Sequence, residues 1–388
     1  MTHISVGNGS DPHVHAFVIG VGSYPYCVNP LGGDGTVRRL LRGVEPLTSA
    51  PLSAAAFAQW LLDSTRHSSD PPLGTLEVLI SSEHPVSLQT ANGPQMIDPA
   101  TFDSAEAACR RWFDHCNTHS ENIAIFFFCG HGWERGGQQQ EILMEDLGKD
   151  PAALFKSVVN FRRTFLEMRR CQARTQCFFV DSCRNLPADL EKYAESSSRA
   201  LLGFDLRSNL GLTRDAPIIF SAAPGQKVHA QPNQPTPFTR FLIQTLDGLG
   251  AHKNTAGWQL LTDYMVPKFR DVLAWNARNG DLVPAFTPDG EQTGSSVLRT
   301  LDGPPEIPFR LGCLPREALS SAHWDLSHST IRPPKVRPPQ PSDWLDRTQA
   351  GVHVVRMTFP ADSPYISDQF SDNFDTPYFE WDYPVRTV

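Results

Sequence analysis

The sequence of 388 residues lacks the patterns that mark several large classes of protein. Its eight cysteines include no C-x-x-C pair, which argues against a zinc site and against the disulfide framework of a small secreted domain. No apolar run approaches the length that spans a bilayer, and the first residues have neither the basic nor the apolar part of a signal peptide. We therefore expect a soluble, cytoplasmic protein in a reducing compartment, without a membrane partner.

Basic residues are likewise not concentrated anywhere in the chain. Lysine and arginine number 34 against 42 aspartate and glutamate residues, which gives a formal net charge of -8, and the basic residues are scattered. Because nucleic-acid binding relies on clustered basic side chains, no nucleic-acid partner is predicted. No grouping of ligand side chains predicts a metal ion, and no cofactor is expected.

Two motifs of common α/β proteins are also missing. The G-x-S-x-G motif of serine hydrolases does not occur. The glycine pattern of nucleotide-binding α/β domains, G-x-G-x-x-G, begins at Gly20 and Gly22, but Pro25 stands where the third glycine belongs. Neither of these two functions is therefore predicted.

What the sequence does contain, as far as about residue 250, is an alternation of apolar strands with amphipathic helices. The predicted strands lie within residues 15–25, 74–80, 123–131, 177–183 and 216–226. The predicted helices lie within residues 52–64, 101–119, 160–173 and 238–249. Because the strands are apolar on both faces, the pattern predicts a largely parallel sheet with helices covering each side.

Two of these strands end in residues that can carry out chemistry. The segment IAIFFFCGHGW leads into His131, and the segment CFFVDSCRN leads into Cys183. Since chemistry in such sheets gathers at the carboxyl ends of the strands, both residues are predicted to lie at one edge. A cysteine hydrolase needs a thiolate nucleophile, an imidazole that transfers the proton, and N–H groups that hold the oxyanion. The backbone N–H groups of Gly132 and Cys183 are the candidates for this oxyanion hole.

The two segments resemble the catalytic pair of the caspase-like cysteine peptidases, which include caspases, metacaspases and legumain. Their histidine and cysteine are 52 residues apart, similar to the spacing of about 50 residues in caspases. The resemblance implies an α/β protein with the caspase-hemoglobinase fold, a mostly parallel sheet flanked by helices in an α/β/α sandwich, followed by a C-terminal extension. It also implies that His131 is the general acid and base and Cys183 the nucleophile of a cysteine endopeptidase acting on protein or peptide substrates.

Asp181 is the candidate residue for the primary specificity pocket. Side chains alternate along a strand, so Asp181 points to the same side as Cys183. In metacaspases, which this chain resembles in its D-S-C motif, the equivalent aspartate binds arginine or lysine at P1, the residue before the cut bond. The second pocket acid of metacaspases is missing from residues 52–54, and Asp34 either replaces it or lies in a solvated turn. The alternative for Asp181 is that it only caps or orients the loop.

The resemblance divides the chain into four predicted parts. Residues 12–186 are like the large caspase subunit and hold the His/Cys dyad, residues 187–215 form an exposed loop, and residues 216–300 are like the small subunit. Residues 301–388 combine a proline-rich linker with an acidic, aromatic extension, and the prolines within 331–341 predict an extended polyproline spacer. The extension is a candidate dock for an activating partner or ligand.

The exposed loop carries three arginines at which a peptidase with this preference could process itself, namely Arg199, Arg207 and Arg214. The alternative is an ordinary surface loop that is never cut. We expect a peptidase of this kind to be held inactive until it is triggered, in a prokaryotic stress or defence response. The rival prediction is a caspase-fold interaction or signalling module without peptidase activity.

Overall fold

The computed structural model describes residues 2–7, 11–28, 41, 43–64, 67–135, 139–184, 198–203, 214–223, 231–292, 294–328 and 333–388. The chain divides into two compact units. The first contains residues 1–243 and 282–298, and the second contains residues 244–281 and 299–388. The predicted boundaries at residues 186, 215 and 300 stay predictions.

Strands outnumber helices in the described part of the chain. As far as residue 244 the elements are β1 (Thr2–Ser5), β2 (Val14–Val21), α1 (Pro25–Val28), α2 (Ser49–Asp63), β3 (Leu73–Ser81), β4 (Ser87–Thr90), β5 (Gly93–Met96), α3 (Phe102–Cys116), β6 (Ile123–Cys129), β7 (Gly132–Arg135), β8 (Gln139–Leu143), β9 (Val158–Asn160), α4 (Phe161–Glu167), β10 (Thr175–Asp181), β11 (Asp215–Phe220) and α5 (Pro237–Gln244). The remaining elements are β12 (His252–Asn254), β13 (Gly257–Leu261), α6 (Thr262–Arg278), β14 (Thr287–Gln292), β15 (Val297–Leu301), β16 (Glu306–Leu314), β17 (His323–His328), β18 (Lys335–Arg337), β19 (Trp344–Gln349), β20 (Gly351–Thr358), β21 (Asp368–Phe374) and β22 (Phe379–Pro384). Short 3-10 turns cover Leu154–Ser157, Met168–Arg170 and Arg316–Ser320, and a π turn covers Thr245–Leu249.

A seven-stranded sheet forms the centre of the first unit. Its strand order is β1-β3-β2-β6-β10-β11-β14. The five central strands are parallel to one another, while β1 and β14 pair antiparallel at the two edges. The mostly parallel sheet predicted from the sequence is therefore confirmed.

Helices cover both faces of this sheet, as the packing of neighbouring residues of β6 indicates. The ring of Phe127 stacks on Phe57 of α2, with centroids 4.5 Å apart. The ring of Phe126 contacts Trp112 of α3, with centroids 6.1 Å apart. Because successive strand residues point to opposite faces, α2 lies on one side of the sheet and α3 on the other.

A small antiparallel sheet follows directly after β6. It contains β7, β8 and β9, and it begins at Gly132, which pairs with Ile142 across the hairpin. Glu134 of β7 pairs with Gln140 of β8 in the same ladder. This hairpin stands at the edge of the large sheet where β6 ends, so it lies next to the candidate catalytic residues.

The second unit is mostly β structure. It contains one sheet in the order β19-β16-β22, another in the order β18-β17-β20-β21, and a third in the order β12-β13-β15. Phe309, Trp324 and Tyr383 are among its buried aromatic residues. No helix in the described part of either unit is long and apolar enough to cross a membrane.

The segments predicted as a proline-rich spacer and a docking tail are part of this β structure. Lys335–Arg337 pairs with β17, and the aromatic extension supplies β21 and β22. The described residues of the spacer thus differ from a free polyproline helix, because a strand partner takes up their backbone hydrogen bonds. In β20, buried His353, Val355 and Met357 alternate with more exposed residues. This period of two is typical of a strand, but it was not recognised in a segment rich in proline and acidic residues.

Candidate active site

The parallel pairing of β6 with β10 brings the ends of two predicted segments to one edge of the sheet. Cys129 pairs in register with Asp181, and the N–H of Gly130 donates to the Asp181 carbonyl over 3.2 Å. His131 follows Cys129 by two residues, and Cys183 follows Asp181 by two. The candidate base and the candidate nucleophile therefore leave adjacent strands at the same level.

Backbone atoms hold the imidazole of His131. Its Nε2 lies 2.7 Å from the carbonyl oxygen of Glu45. Because a carbonyl oxygen only accepts hydrogen bonds, Nε2 carries the proton and Nδ1 is the basic nitrogen. Burial lowers the pKa of His131 below its usual value, against the opposing effect of the Glu45 carbonyl. The neutral imidazole is thus the favoured form near neutral pH.

Tyr24 fixes the backbone at the same point. Its hydroxyl accepts a hydrogen bond from the His131 N–H over 2.9 Å and donates to the Val21 carbonyl over 3.2 Å. Burial raises the pKa of Tyr24 well above its usual value, so the hydroxyl keeps its proton. Neither Tyr24 nor Glu45 was predicted from the sequence as part of the site. The available signal for Tyr24 was its position just after β2, which ends at the same edge of the sheet.

Cys183 differs from the other cysteines in its exposure. The other seven are buried, whereas Cys183 is partly exposed. Burial raises the pKa of Cys27 and of Cys177 to about 12, so these thiols are inert at neutral pH. The next residue, Arg184, forms a buried ion pair with Glu134 of β7 over 2.9 Å. This pair connects residues 182–184, called the cysteine loop below, to the hairpin that follows the histidine.

Gly132 lies where the hairpin and the cysteine loop come closest. A Cβ atom at this position would lie 2.8 Å from the Glu141 carbonyl oxygen and 2.9 Å from Ser182 Oγ. These distances are too short for a side chain, so the glycine is required by close packing inside the protein.

The carboxylate of Asp181 is deeply buried, with 2% of the residue exposed. Its Oδ2 accepts hydrogen bonds from the hydroxyl of Thr236, from Thr239 Oγ1 at 3.3 Å and from Cys129 Sγ at 3.5 Å. Burial raises the pKa of Asp181, while the Thr236 hydroxyl acts in the opposite direction. Within this Asp181 cluster, formed with Thr236, Thr239 and Cys129, Asp181 Oδ1 makes no hydrogen bond of standard geometry in the described residues. The Ser221 hydroxyl acts on the pKa of Asp181 in the same direction as that of Thr236.

The position that lacks the second pocket acid of metacaspases belongs to the same cluster. Ser53 of α2 accepts a hydrogen bond from the backbone N–H of Thr236 over 2.9 Å. A serine hydroxyl thus takes the place near the Asp181 cluster where the resemblance led us to look for a carboxylate. Asp34 lies outside the described residues, so its two interpretations stay open.

The two candidate processing residues that the structure describes, Arg199 and Arg214, make their contacts elsewhere in the first unit. Arg199 pairs with β9 through both backbone groups, donating to the Val158 carbonyl and accepting from the Asn160 N–H. Its guanidinium lies 4.2 Å from the ring centre of Phe102. Arg214 is 3% exposed, and its Nη2 donates to the Cys171 carbonyl over 3.0 Å.

Arg207 lies outside the described residues, and its predicted role stays a prediction. Within the described ranges, no group of three or more His, Cys, Asp or Glu side chains is arranged to hold a metal ion.

The chain is similar to known proteins in its sequence. Residues 95–273 match the family model described as the caspase domain, and this range includes both His131 and Cys183. The chain is also similar to the protein of Sinorhizobium fredii named uncharacterized protein y4kE, with 24% identity over 231 residues. That match covers 60% of this chain and 63% of the relative, so it spans less than two thirds of the relative's length. Residues 95–273 are thus similar to the caspase domain of the caspase-like cysteine peptidases, and the mostly parallel sheet flanked by helices is consistent with the caspase-hemoglobinase fold.

Proposed function

We propose that this protein is a cysteine endopeptidase in which Cys183 is the nucleophile and His131 the general acid and base. The observation that carries the proposal is the register of β6 with β10, which ends both strands at one edge with the imidazole already oriented by Glu45. The partial exposure of Cys183, against seven buried cysteines, adds support because a nucleophile must be reached by its substrate.

The proposed reaction proceeds through an acyl-enzyme. Nδ1 of His131 accepts the proton of the Cys183 thiol, and the sulfur attacks the carbonyl carbon of the scissile bond. The N–H groups of Gly132 and Cys183 donate to the resulting oxyanion. His131 then protonates the leaving amine as the C–N bond breaks, which leaves a thioester on Cys183. A water molecule that gives its proton to His131 hydrolyses the thioester and restores the thiol.

The proposed P1 preference is for arginine or lysine, with Asp181 as the pocket acid. A buried carboxylate with one oxygen unpartnered among the described residues has a lone pair available for a cation. The hydroxyl of Ser221, which acts on the same carboxylate, is the proposed second acceptor. The three donors already bonded to Oδ2 support the alternative that Asp181 only stabilises the loop, so the preference must be measured.

The test is the hydrolysis of fluorogenic peptides that differ at P1, with Arg, Lys, Asp or Leu. The enzymes compared are the wild type, Cys183→Ala, Asp181→Asn and the matched control Cys177→Ala, which removes a buried thiol of β10. We expect turnover after Arg or Lys that is abolished by Cys183→Ala and kept by Cys177→Ala. In Asp181→Asn we expect kcat/KM for the basic peptides to fall about 100-fold, because one buried charge pair is lost.

Other outcomes separate the remaining interpretations. Turnover only after Asp or Leu would keep Cys183 as the nucleophile and remove the pocket role of Asp181. An absence of turnover with every peptide would favour the caspase-fold interaction module.

Regulation of this activity is also proposed. The peptidase is held inactive until a trigger arrives, and residues 301–388 are the candidate surface for an activating partner. For processing, the paired backbone of Arg199 and the burial of Arg214 favour Arg207 among the three arginines. The cytoplasm and a stress or defence response are the proposed setting.

A further inference from the structure

A buried glutamine connects the two loops that carry the proposed catalytic groups. Gln140 lies on β8 and is 2% exposed. Its Nε2 lies 3.1 Å from Ser182 Oγ and 3.4 Å from the carbonyl oxygen of Cys183. Because the Cys183 carbonyl only accepts hydrogen bonds, the group facing it must be the NH2 of the carboxamide. The side chain therefore reaches from the hairpin after the histidine to the nucleophile and the residue before it.

The same amide also lies close to Gly132. A Cβ atom at Gly132 would lie 3.0 Å from Gln140 Nε2 and 2.9 Å from Ser182 Oγ. The Nε2 of Gln140 is thus close both to Gly132 and to the carbonyl of Cys183. These are the two residues whose N–H groups are the proposed oxyanion donors.

A second link attaches the same hairpin to the same loop. Glu134, which pairs with Gln140 across the β7–β8 ladder, forms the buried ion pair with Arg184. Ser182 and Arg184, which precede and follow Cys183 in the chain, are therefore both bonded to the hairpin. Two links at neighbouring residues restrict rotation of the peptide planes between them, which one link alone would not do.

The hydrogen bonding of Gln140 does not favour stability as its only role. Its Oε1 is buried and has no hydrogen-bond partner in the part of the chain that the structure describes. A buried acceptor left unpaired lowers the free energy of unfolding, and an apolar side chain of similar volume would avoid that cost. A residue that breaks a local rule in this way is expected where function requires it.

We propose that Gln140 is a positioning residue, an inference that rests on the proposed peptidase function. Its carboxamide holds the Ser182–Cys183 backbone at a fixed distance from Gly132, so that the N–H groups of Gly132 and Cys183 converge on one oxyanion. It does not touch the substrate. Its effect therefore falls on the stabilisation of the transition state and not on the binding of the peptide.

The test compares Gln140→Met with the wild type in the full-length chain. Methionine has a similar volume and cannot donate, so the fold should persist. The matched control is Gln139→Met on the exposed neighbour of the same strand. Four quantities are measured: kcat and KM for the best peptide, the inhibition constant of the corresponding peptide aldehyde, the rate at which iodoacetamide alkylates Cys183 at several pH values, and the melting temperature.

The expected result is specific to an oxyanion defect. In Gln140→Met we expect kcat to fall about 10- to 100-fold while KM stays within about 2-fold, since displaced oxyanion donors typically cost this much. The aldehyde, whose adduct carries the same oxyanion, should bind more weakly by a similar factor. Alkylation of Cys183 and the melting temperature should change little. Gln139→Met should match the wild type in every measurement.

The overturning results are distinct from those that would reject the peptidase itself. An unchanged kcat in Gln140→Met, with an active wild type, removes the positioning role and leaves the proposed function standing. A loss of kcat that is accompanied by equal losses in alkylation rate and melting temperature reduces Gln140 to a structural residue. A wild type that hydrolyses no peptide and binds no aldehyde overturns both proposals.

Discussion

At the scale of single residues, backbone atoms and a hydroxyl orient the proposed base within the described part of the chain. The carbonyl of Glu45 accepts from Nε2 of His131, and the hydroxyl of Tyr24 accepts from its backbone N–H. A carbonyl fixes the tautomer of the imidazole and adds no full negative charge. The pKa of His131 therefore stays below its usual value through burial, and Nδ1 stays available as a base.

Replacing the Tyr24 hydroxyl is expected to disturb this arrangement. Tyr24→Phe leaves the His131 N–H without its acceptor, which should lower the free energy of unfolding by about 1 to 2 kcal/mol. We also expect kcat to fall about 10-fold, because the imidazole shifts relative to Cys183. Urea unfolding and peptide kinetics provide the two measurements. Tyr26→Phe, two residues away, is the control, and equal effects of both substitutions would show that the contact to His131 is unimportant.

A methyl group at Gly132 should be more damaging than at an open glycine. In Gly132→Ala the new Cβ would contact a backbone oxygen at 2.8 Å, so the hairpin and the cysteine loop must separate. We expect the free energy of unfolding to fall by about 1 to 3 kcal/mol, with loss of most peptidase activity. Gly203→Ala is the matched control, since nothing lies within 4 Å of its added Cβ. An active, fully stable Gly132→Ala would contradict the close packing.

At the scale of structural elements, the hairpin β7–β8 organises the segment that follows the cysteine loop. Glu141 of β8 accepts hydrogen bonds from the indole of Trp133 and, over 2.5 Å, from the hydroxyl of Ser198. Residues 198–203 are anchored further by Leu201, whose backbone N–H donates to Thr164 Oγ1 and whose side chain is buried. This short segment is therefore an integral part of the first unit.

Limited trypsin digestion should reflect this anchoring. The backbone of Arg199 is hydrogen-bonded on both sides, and Arg214 is buried, so we expect both to resist cleavage. A cut at Arg207 should leave the fragments associated during gel filtration, because the buried contacts of Leu201 and Leu202 remain. Mass spectrometry of the products identifies the cut sites. Rapid cleavage after Arg199 or Arg214 in folded protein would contradict this prediction.

At the scale of the whole molecule, a group of histidines is expected to make the free energy of unfolding depend on pH. It lies beneath α3, near the ends of the strands remote from the candidate active site. Burial, with smaller effects from His115 and His13, lowers the pKa of His15 to about 4. Burial also lowers the pKa of His115. The group consists of His3, His13, His15 and His115. The neighbouring polar side chains are Thr75, Glu77 and Arg111.

Acid should therefore destabilise the protein before it titrates most carboxylates. The folded state holds His15 neutral down to about pH 4, while the unfolded chain takes up the proton near pH 6.5. The stability of the fold with neutral His15 is therefore complete above about pH 6.5, and it decreases as the pH falls towards 4. From His15 alone we expect the free energy of unfolding to be about 2 kcal/mol lower at pH 5 than at pH 7.5.

The variant His15→Gln tests this account, since glutamine can keep the hydrogen bond to Thr75 and does not titrate. Urea unfolding at pH 5 and pH 7.5 should show a pH effect smaller by about 2 kcal/mol than in the wild type. His84→Gln, at an exposed histidine, should leave the effect unchanged. If His15→Gln keeps the full pH effect, other groups are responsible for it.

The two units show where composition misleads an interpretation of the sequence. In the first unit, long apolar strands such as β6 and β10 predicted the parallel sheet, because a strand buried on both faces must be apolar throughout. In the second unit, the many prolines and acidic residues suggested a spacer and a tail. Strands such as β20 and β21 are as long as β6 and β10, but exposed residues interrupt them at alternate positions. They form no apolar run, so their sheets were not predicted.

The sequence by itself determined the sheet, the two strand ends and the pair of His131 and Cys183, because apolar runs and reactive side chains are visible as residue types. Only the tertiary structure decided what surrounds that pair. Glu45 contributes a backbone carbonyl, which any residue could supply, and Tyr24 contacts a histidine 107 positions away. Gln140 meets the cysteine loop only because a hairpin folds against it. Such contacts join residues that are far apart in the chain. The residue types are visible in the sequence, but which groups meet is decided only by the fold.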